Sequence, residues 1–374
     1  MNQFGLPLAF YAIFAFIFGA VIGSFLNVVI HRAPQGLSVV FPGSRCTSCG
    51  AQVRAFDNIP LLSYTILRRR CRSCRARISA VYPLVELLAG LMFVALIFKT
   101  GPAWEVLLEF VFAGAMIALV FIDARHHRLP NVITYPAFVF ALAAATARAG
   151  WSEQTSFTFD LSIIIPGMKS EFAAWRAALF GGLLFALAAP GFRLLDRLDP
   201  ILFGKYFEWE EVDEAEAERE VEIERRHDRV IYATMIIGLL VAIAWAALVI
   251  FLSPGNQQVY EEAYSGLLRA SAGAVIGGGI VWWLRAVYFF IRRVEGMGLG
   301  DVKMMSVVGA FFGWQGAFGV LLLGSILGSV IGVISAYRSQ RGMKAPLPFG
   351  VCLGVASLVV MLTATPFFRW YVGQ

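Results

Sequence analysis

Long apolar segments recur along the chain, and no other feature restricts its fold as strongly. Each is about as long as a membrane-spanning helix, which needs roughly 20 apolar residues, and the segments lack the alternation typical of a transmembrane β-barrel. The composition agrees, since 59% of the 374 residues are hydrophobic and 15% are charged, where soluble domains have about 45–50% and about 25%. The sequence predicts an all-α fold, a polytopic membrane helix bundle of about eight to ten spans.

The apolar segments allow ten spans to be placed by residue number. They cover approximately residues 8–30, 83–98, 103–122, 131–147, 172–190, 230–252, 267–291, 302–314 and 317–337, with a tenth ending near residue 368. Arginine is concentrated in loops that this count places on one side of the membrane, and the positive-inside rule assigns that side to the cytoplasm. The N-terminus is then expected outside, and it lacks the basic start and the cleavage site of a signal peptide.

The predicted spans divide the chain into five segments. Residues 1–30 hold the first span, and residues 31–82 form a polar module in the cytoplasm. Residues 83–148 hold spans two to four, residues 149–265 add two spans and an acidic cytoplasmic loop, and residues 266–374 hold the last spans. Positive charge beside membrane spans is explained by lipid headgroups. Membrane lipid is therefore the expected partner of the basic loops, and nucleic acid is not.

Two CxxC pairs lie in the polar module. Cys46 and Cys49 form the first pair, Cys71 and Cys74 form the second, and 21 residues separate them. Four thiolates at this spacing are typical of a tetrahedral zinc site, in which each pair wraps one side of the ion. Disulfides are the alternative, but a cytoplasmic location disfavours them. We therefore predict a structural Zn²⁺ ion that folds a loop too short and polar to build its own core.

Two aspartates lie where apolar segments meet the cytoplasmic boundary. Asp123 ends span three, and Asp301 begins span eight after the glycine-rich run 296–300. A carboxylate at this depth is unfavourable and usually functional, and Gly298 and Gly300 would let another backbone approach Asp301. Two carboxylates around one water can act as base and acid in peptide hydrolysis, because close like charges keep one of them protonated. The alternatives are a helix cap for Asp301 and a solvated interfacial charge for Asp123.

Several motifs, in order along the chain, carry a likeness to one family. They are Gly23-Ser24-Phe25-Leu26-Asn27-Val28, Asn58-Ile59-Pro60-Leu61-Leu62-Ser63-Tyr64, Arg70-Cys71-Arg72-Ser73-Cys74, Ile78-Ser79-Ala80-Val81-Tyr82-Pro83-Leu84-Val85-Glu86, Asp123 followed by Leu129-Pro130, Gly298-Leu299-Gly300-Asp301-Val302-Lys303, and Pro348-Phe349-Gly350. On these residues the chain resembles the type IV prepilin peptidases, which are membrane aspartyl proteases of the GxGD class.

The resemblance implies that Asp123 and Asp301 form the catalytic dyad of a multi-pass endopeptidase in the bacterial inner membrane, with its active site at the cytoplasmic face. The implied substrates are precursors of type IV pilins or type II secretion pseudopilins, cut after the glycine that ends a short basic leader. Family members of this longer form also N-methylate the new terminus with S-adenosylmethionine. The alternatives are a peptidase without methyl transfer and, from another class, a zinc-clipped scaffold or transporter without catalytic activity.

Two charged residues and one long segment complete the expectations. Glu86 in span two and Lys303 beside Asp301 would bias the proton of the pair or position substrate, with interfacial anchoring as the alternative for both. Segment 149–265 departs from the family, which passes more directly from span four to the glycine motif. Its acidic run at 208–224 would attract a basic leader or form a solvated insert, and two added spans keep both aspartates on one side.

Overall fold

A computed structural model of the protein describes part of the chain. The described residues are 7–149, 257–292, 297–338 and 349–372, together with the isolated helical positions 191, 194, 198, 233 and 236. Predicted span five and the acidic run at 208–224 lie outside the described residues, and positions 233 and 236 are the described part of predicted span six.

The described residues form helices and connecting loops. The α-helices are α1 (Leu8–Arg32), α2 (Leu62–Ile66), α3 (Val81–Thr100), α4 (Glu105–His126), α5 (Asn131–Ala149), α6 (Gln257–Arg292), α7 (Leu299–Arg338) and α8 (Phe349–Val372). Two short 3-10 helices, Ala33–Gln35 and Ala55–Asn58, lie between α1 and α2. Within the described ranges no strand forms, and only two isolated bridges pair residues of the polar module. The predicted all-α fold is confirmed.

Five helical segments are long and apolar enough to cross a membrane. They are Leu8–Gln35, Val81–Thr100, Glu105–His126, Gly266–Arg292 and Leu299–Ile334. Two shorter apolar segments, at 131–147 and 349–363, correspond to predicted spans four and ten. These segments confirm a multi-spanning membrane protein.

Three boundaries differ from the sequence prediction. Helix α4 continues to His126, four residues beyond the end of predicted span three at residue 122. Helix α6 begins at Gln257, some ten residues before the predicted span, because polar residues continue a helix beyond its apolar part. Predicted spans eight and nine both fall within α7, which is interrupted by non-helical backbone at Gly313 (φ 76°, ψ 179°).

The chain divides into two compact units, and the first comprises residues 1–128 and 324–374. Its main contact is between α1 and α3, and α4 packs against α1, α3 and α8. Small residues allow the close approach of α1 and α3, since a Cβ added to Gly19 would lie 2.7 Å from the Ala89 carbonyl oxygen. The rings of Phe93 in α3 and Phe110 in α4 stack with centroids 4.0 Å apart.

The second unit comprises residues 129–323 and contains α5, α6 and the first part of α7. Helix α6 meets α7 along a seam of glycines, in which Gly273 lies against Gly309. A Cβ added to Gly277 would lie 2.7 Å from the Met305 carbonyl oxygen. Close backbone contact of this kind is the usual basis of helix association in lipid, where no hydrophobic effect drives helices together.

A pair of glycine substitutions in α6 tests this seam. We expect Gly277→Ala to lower the thermal unfolding temperature in detergent, because its Cβ meets Met305 and overpacking costs about 1–3 kcal/mol. Gly279→Ala is the matched control, since a Cβ there meets nothing within 4 Å. Alanine also favours helix over glycine by about 1 kcal/mol, so the control should unfold at the parent temperature or above it. Equal shifts in the two variants would contradict the seam.

Candidate functional site

Asp123 lies in the last turn of α4 and is buried. Its Oδ2 accepts a hydrogen bond of 2.8 Å from the backbone N–H of Val351, in the first turn of α8. The first N–H groups of a helix have no partner within the helix, and a negative charge there is favourable. His127, in the left-handed conformation at φ 51°, ends α4 immediately after this turn. The start of α8 therefore holds one oxygen of the Asp123 carboxylate.

Asp301 lies in the first turn of α7 and is also buried. Its backbone N–H donates to the Gly298 carbonyl oxygen at 3.2 Å. Gly300 packs against a side chain and not against the backbone expected from the sequence, because an added Cβ would lie 3.0 Å from the Leu129 Cβ. A Cβ at Gly298 would meet nothing closer than 3.8 Å. Of the two described glycines of this motif, Gly300 is thus the one whose missing side chain lets a neighbouring side chain approach.

Lys303 is buried and directed at α5. Its Nζ donates a hydrogen bond of 2.8 Å to Asn131 Oδ1 and lies 5.6 Å from the centroid of the Tyr135 ring. A position two residues further along a helix is rotated by about 200°, so the backbone directs Lys303 and Asp301 to nearly opposite sides of α7. Sequence analysis missed Asn131 and Tyr135, although both follow closely on the Leu129-Pro130 motif.

The two aspartates belong to different compact units, Asp123 to the first and Asp301 to the second. Each lies at the helix end that the sequence predicted, and each is buried. Their pairing stays a prediction.

Glu86 links the polar module to the membrane helices. It is buried in α3, and its Oε2 accepts a hydrogen bond of 2.8 Å from the backbone N–H of Leu61. Leu61 has a positive φ of 61°, which is uncommon for a side chain of this kind. Asn27 of α1 adds a second link, since its Nδ2 donates to the Tyr82 carbonyl oxygen at 3.0 Å. The contacts of Glu86 and Asn27 support a positioning role for both.

The four cysteines of the polar module come together as predicted. Their sulfur atoms all lie within 4.8 Å of one another, and those of Cys46 and Cys74 are 3.9 Å apart. A tetrahedral ion with metal–sulfur distances of about 2.3 Å requires sulfurs roughly 3.8 Å apart. The cysteines are free thiols, so the cluster is suited to hold a metal ion.

The two CxxC turns repeat one backbone pattern. In each, the N–H of the first cysteine donates to the carbonyl oxygen five residues later, at 2.9 Å from Cys46 and from Cys71. The residue after the second cysteine is left-handed in both, as Gly50 at φ 70° and as Arg75 at φ 61°. Glycine adopts this conformation without strain, whereas arginine does not. The second turn is therefore the more strained of the two.

Backbone N–H groups prepare one thiol for metal binding. Hydrogen bonds from the N–H groups of Cys49 and Ser48 lower the pKa of the Cys46 thiol to about 6. A thiolate and not a thiol is the metal ligand, so Cys46 offers a ligand at neutral pH.

An ion pair ties the second CxxC turn to the preceding loop. Arg72 donates to Asp57 through Nη2 at 2.6 Å and through Nε at 2.8 Å. These bonds hold the pKa of the Asp57 carboxyl below its usual range. Arg72 also lies over the Phe56 ring, 5.4 Å from its centroid. A bidentate pair of this kind fixes direction as well as distance.

Two family models match parts of the chain. Residues 17–100 match the family model of the bacterial peptidase A24 N-terminal domain, and residues 227–333 match that of the type IV leader peptidase family. Asp301 lies within the second match, and Asp123 lies between the two.

Curated relatives match almost the whole chain. The prepilin leader peptidase/N-methyltransferase of Aeromonas hydrophila is 28% identical over 392 residues, covering 98% of this chain and 96% of the relative. The protein of the same name from Pseudomonas aeruginosa is 25% identical, covering 98% and 94%. That of Myxococcus xanthus is 45% identical over 135 residues, covering 36% and 40%. No solved structure matches the chain.

Substitutions at the left-handed positions test the difference between the two CxxC turns. With Zn²⁺ bound, we expect Arg75→Gly to release the ion to a chelator more slowly than the parent, because a strain of about 1–2 kcal/mol is removed. Gly50→Ala should release the ion faster, because it places a side chain on left-handed backbone. The added Cβ meets nothing within 4 Å, so backbone strain is the change that this substitution makes. Arg75→Ala is the control that removes the charge and keeps the strain. If it slows release as much as Arg75→Gly, charge and not conformation is responsible.

Proposed function

Because this chain belongs to the type IV leader peptidase family, we propose that it is an aspartyl endopeptidase that removes the basic leader from type IV prepilins or type II secretion pseudopilins. Cleavage follows the glycine that ends the leader. The proposal includes N-methylation of the new N-terminus, because relatives matched over nearly their full length are named for both activities. S-adenosylmethionine is the proposed donor and would supply a sulfonium-bound methyl group to the terminal amine, leaving S-adenosylhomocysteine and one proton.

The proposed catalytic residues are Asp123 and Asp301. One carboxylate takes a proton from a water molecule, whose oxygen attacks the carbonyl carbon of the scissile peptide bond. The other, protonated carboxyl gives its proton to the departing amine nitrogen, so that both groups exchange roles once per cycle. The titration of such a pair belongs to both groups together. The observation that carries this proposal is the burial of both carboxylates at the ends of membrane-length helices, where an unused charge would be unfavourable.

The path of the chain supports a meeting of the two aspartates. Leu129 packs on Gly300, directly before Asp301. Leu129 is only six positions after Asp123, and a chain of that length spans at most about 20 Å. Asn131 then binds Lys303, two residues beyond Asp301. We infer that Lys303 and Asn131 position the start of α7, and that neither takes part in proton transfer.

The proposed site lies at the cytoplasmic face of the bacterial inner membrane. Basic residues lie in the last turn of α4 and just after it, at Arg125 and Arg128, and at Arg292, which ends α6, and Arg293, the next residue in the sequence. This is the charge bias expected at a cytoplasmic boundary. A prepilin whose apolar helix lies in the membrane would present its leader junction at this boundary. The leader junction of the substrate and the two carboxylates would then lie at the same depth in the membrane.

The proposed metal of the cysteine cluster is a structural Zn²⁺ ion. Cys46, Cys49, Cys71 and Cys74 would hold it, and four thiolates leave no open position for substrate. The bound ion would cross-link two loops that bury little apolar surface. Glu86 then connects the folded module to α3 through Leu61, and we infer that this is its role.

Conservative substitutions test the catalytic pair. We expect Asp123→Asn and Asp301→Asn each to reduce processing of a co-expressed prepilin by about 10²–10⁴-fold, because asparagine can neither give nor take the proton. Precursor and mature forms are separated by gel mobility. Glu105→Gln is the matched control, since it removes a carboxylate from the first turn of the same helix, at the end opposite to Asp123. Full processing by both dyad variants would refute the assignment.

Mass spectrometry of the mature substrate tests the second activity. With S-adenosylmethionine present, the N-terminal amine of the product should carry one added methyl group, and without the donor it should carry none. The methyl acceptor is the amine that cleavage releases. Asp301→Asn, which prevents cleavage, should therefore abolish methylation as well. A cleaved and unmethylated product in the presence of donor would identify a peptidase without methyl transfer.

A further inference from the structure

The short helix α2 exposes apolar side chains although it lies outside the predicted spans. Its Ser63 is buried, with 8% of its surface exposed, and the Ser63 hydroxyl donates to the Phe56 carbonyl oxygen at 3.1 Å, whereas Thr65 is exposed. Leu62 and Ile66, four residues apart and so on one face, are 58% and 69% exposed. Ile59, just before the helix, is 45% exposed. In water such an arrangement would leave apolar surface unburied.

The depth of this segment is fixed by its link to a membrane helix. Helix α3 has 20 residues, which gives a length of about 30 Å, close to the thickness of the hydrocarbon core. Glu86 is its sixth residue, and the Glu86 carboxylate binds the N–H of Leu61. A helical side chain leans toward the N-terminus, so Leu61 lies between the level of Glu86 and the start of α3. Helix α2 therefore begins at the membrane boundary.

Positive charge follows the apolar face directly. Arg68, Arg69 and Arg70 come after α2 and are exposed. Arginines next to apolar side chains at a membrane boundary are attracted to anionic headgroups, each by about 1 kcal/mol. Apolar insertion combined with basic residues is the usual composition of an interfacial membrane element.

We propose that segment 59–66 is an interfacial element, with the side chains of Ile59, Leu62 and Ile66 inserted among the lipid headgroups and upper acyl chains of the leaflet that contains the start of α3. The three arginines bind anionic lipid. The polar module is thereby attached to the membrane surface at a third point, besides its covalent connections to α1 and α3. A protein partner on this face is the alternative that the experiment below distinguishes.

Site-specific photo-crosslinking in nanodiscs tests the proposal on the full chain. The photoreactive amino acid p-benzoylphenylalanine replaces Leu62 or Ile66, in separate proteins, in nanodiscs of phosphatidylglycerol and phosphatidylcholine. Phe14, exposed in the first half of α1, is the lipid-facing control, and Thr47, exposed in the first CxxC turn, is the control in water. Mass spectrometry identifies the adducts after irradiation.

We expect phospholipid adducts at positions 62 and 66 at a level comparable with position 14, none at position 47, and enrichment of phosphatidylglycerol at position 66. The absence of lipid adducts at both positions, with adducts at position 14, would overturn the proposal. Adducts with a second copy of the chain or with another protein would also overturn it. Equal capture of both lipids at position 66 would refute the role assigned to the arginines.

Discussion

A carboxylate inside a membrane helix must be given a hydrogen-bond donor, and the described contacts show how this chain meets that requirement. Asp123 receives the N–H of Val351, and Glu86 receives that of Leu61. Glu109, buried near the other end of α4, accepts from Lys99 at 3.2 Å and from Thr100 at 2.7 Å. Each bond joins the carboxylate to a part of the first unit outside the helix that carries it. Since apolar side chains gain little by leaving lipid for one another, these polar bonds and the close glycine contacts select one arrangement of helices.

The motif residues divide accordingly between chemistry and support. Gly23, Asn27 and Glu86 hold α1, α3 and the polar module together. Gly300 and Lys303 attach the start of α7 to α5. Asp301 thus lies at a helix end that Gly300 and Lys303 hold within the second unit, and Asp123 is held within the first unit by the N–H of Val351. A proton-transfer pair needs this support, because a small displacement of either group is costly in rate.

Sequence alone was sufficient for the features that depend on local composition. Apolar runs predicted the helices, and the spacing of Cys46, Cys49, Cys71 and Cys74 predicted their cluster. The ends of the helices were harder to predict from the sequence, because hydropathy marks where lipid stops and not where backbone hydrogen bonds stop. Helix α6 therefore begins earlier, at Gln257, and α4 ends later than hydropathy suggests.

Long-range donors could not be predicted. The bond from Val351 to Asp123 spans 228 positions and involves only the backbone of Val351, so no side-chain pattern signals it. The contact of Asn131 with Lys303 likewise depends on how α5 and α7 pack. One missed feature did leave a signal. Aligning the two CxxC turns places Arg75 opposite Gly50, and an arginine in the place of glycine indicates backbone strain.

The donor to Asp123 has a consequence for how the family should vary. An amide hydrogen is supplied by every amino acid but proline, so drift at position 351 among apolar residues leaves the bond intact. An alignment position that accepts valine, alanine or leucine would look unimportant, although its backbone N–H binds the carboxylate of Asp123. Selection at that site would be visible only as the exclusion of a single residue type.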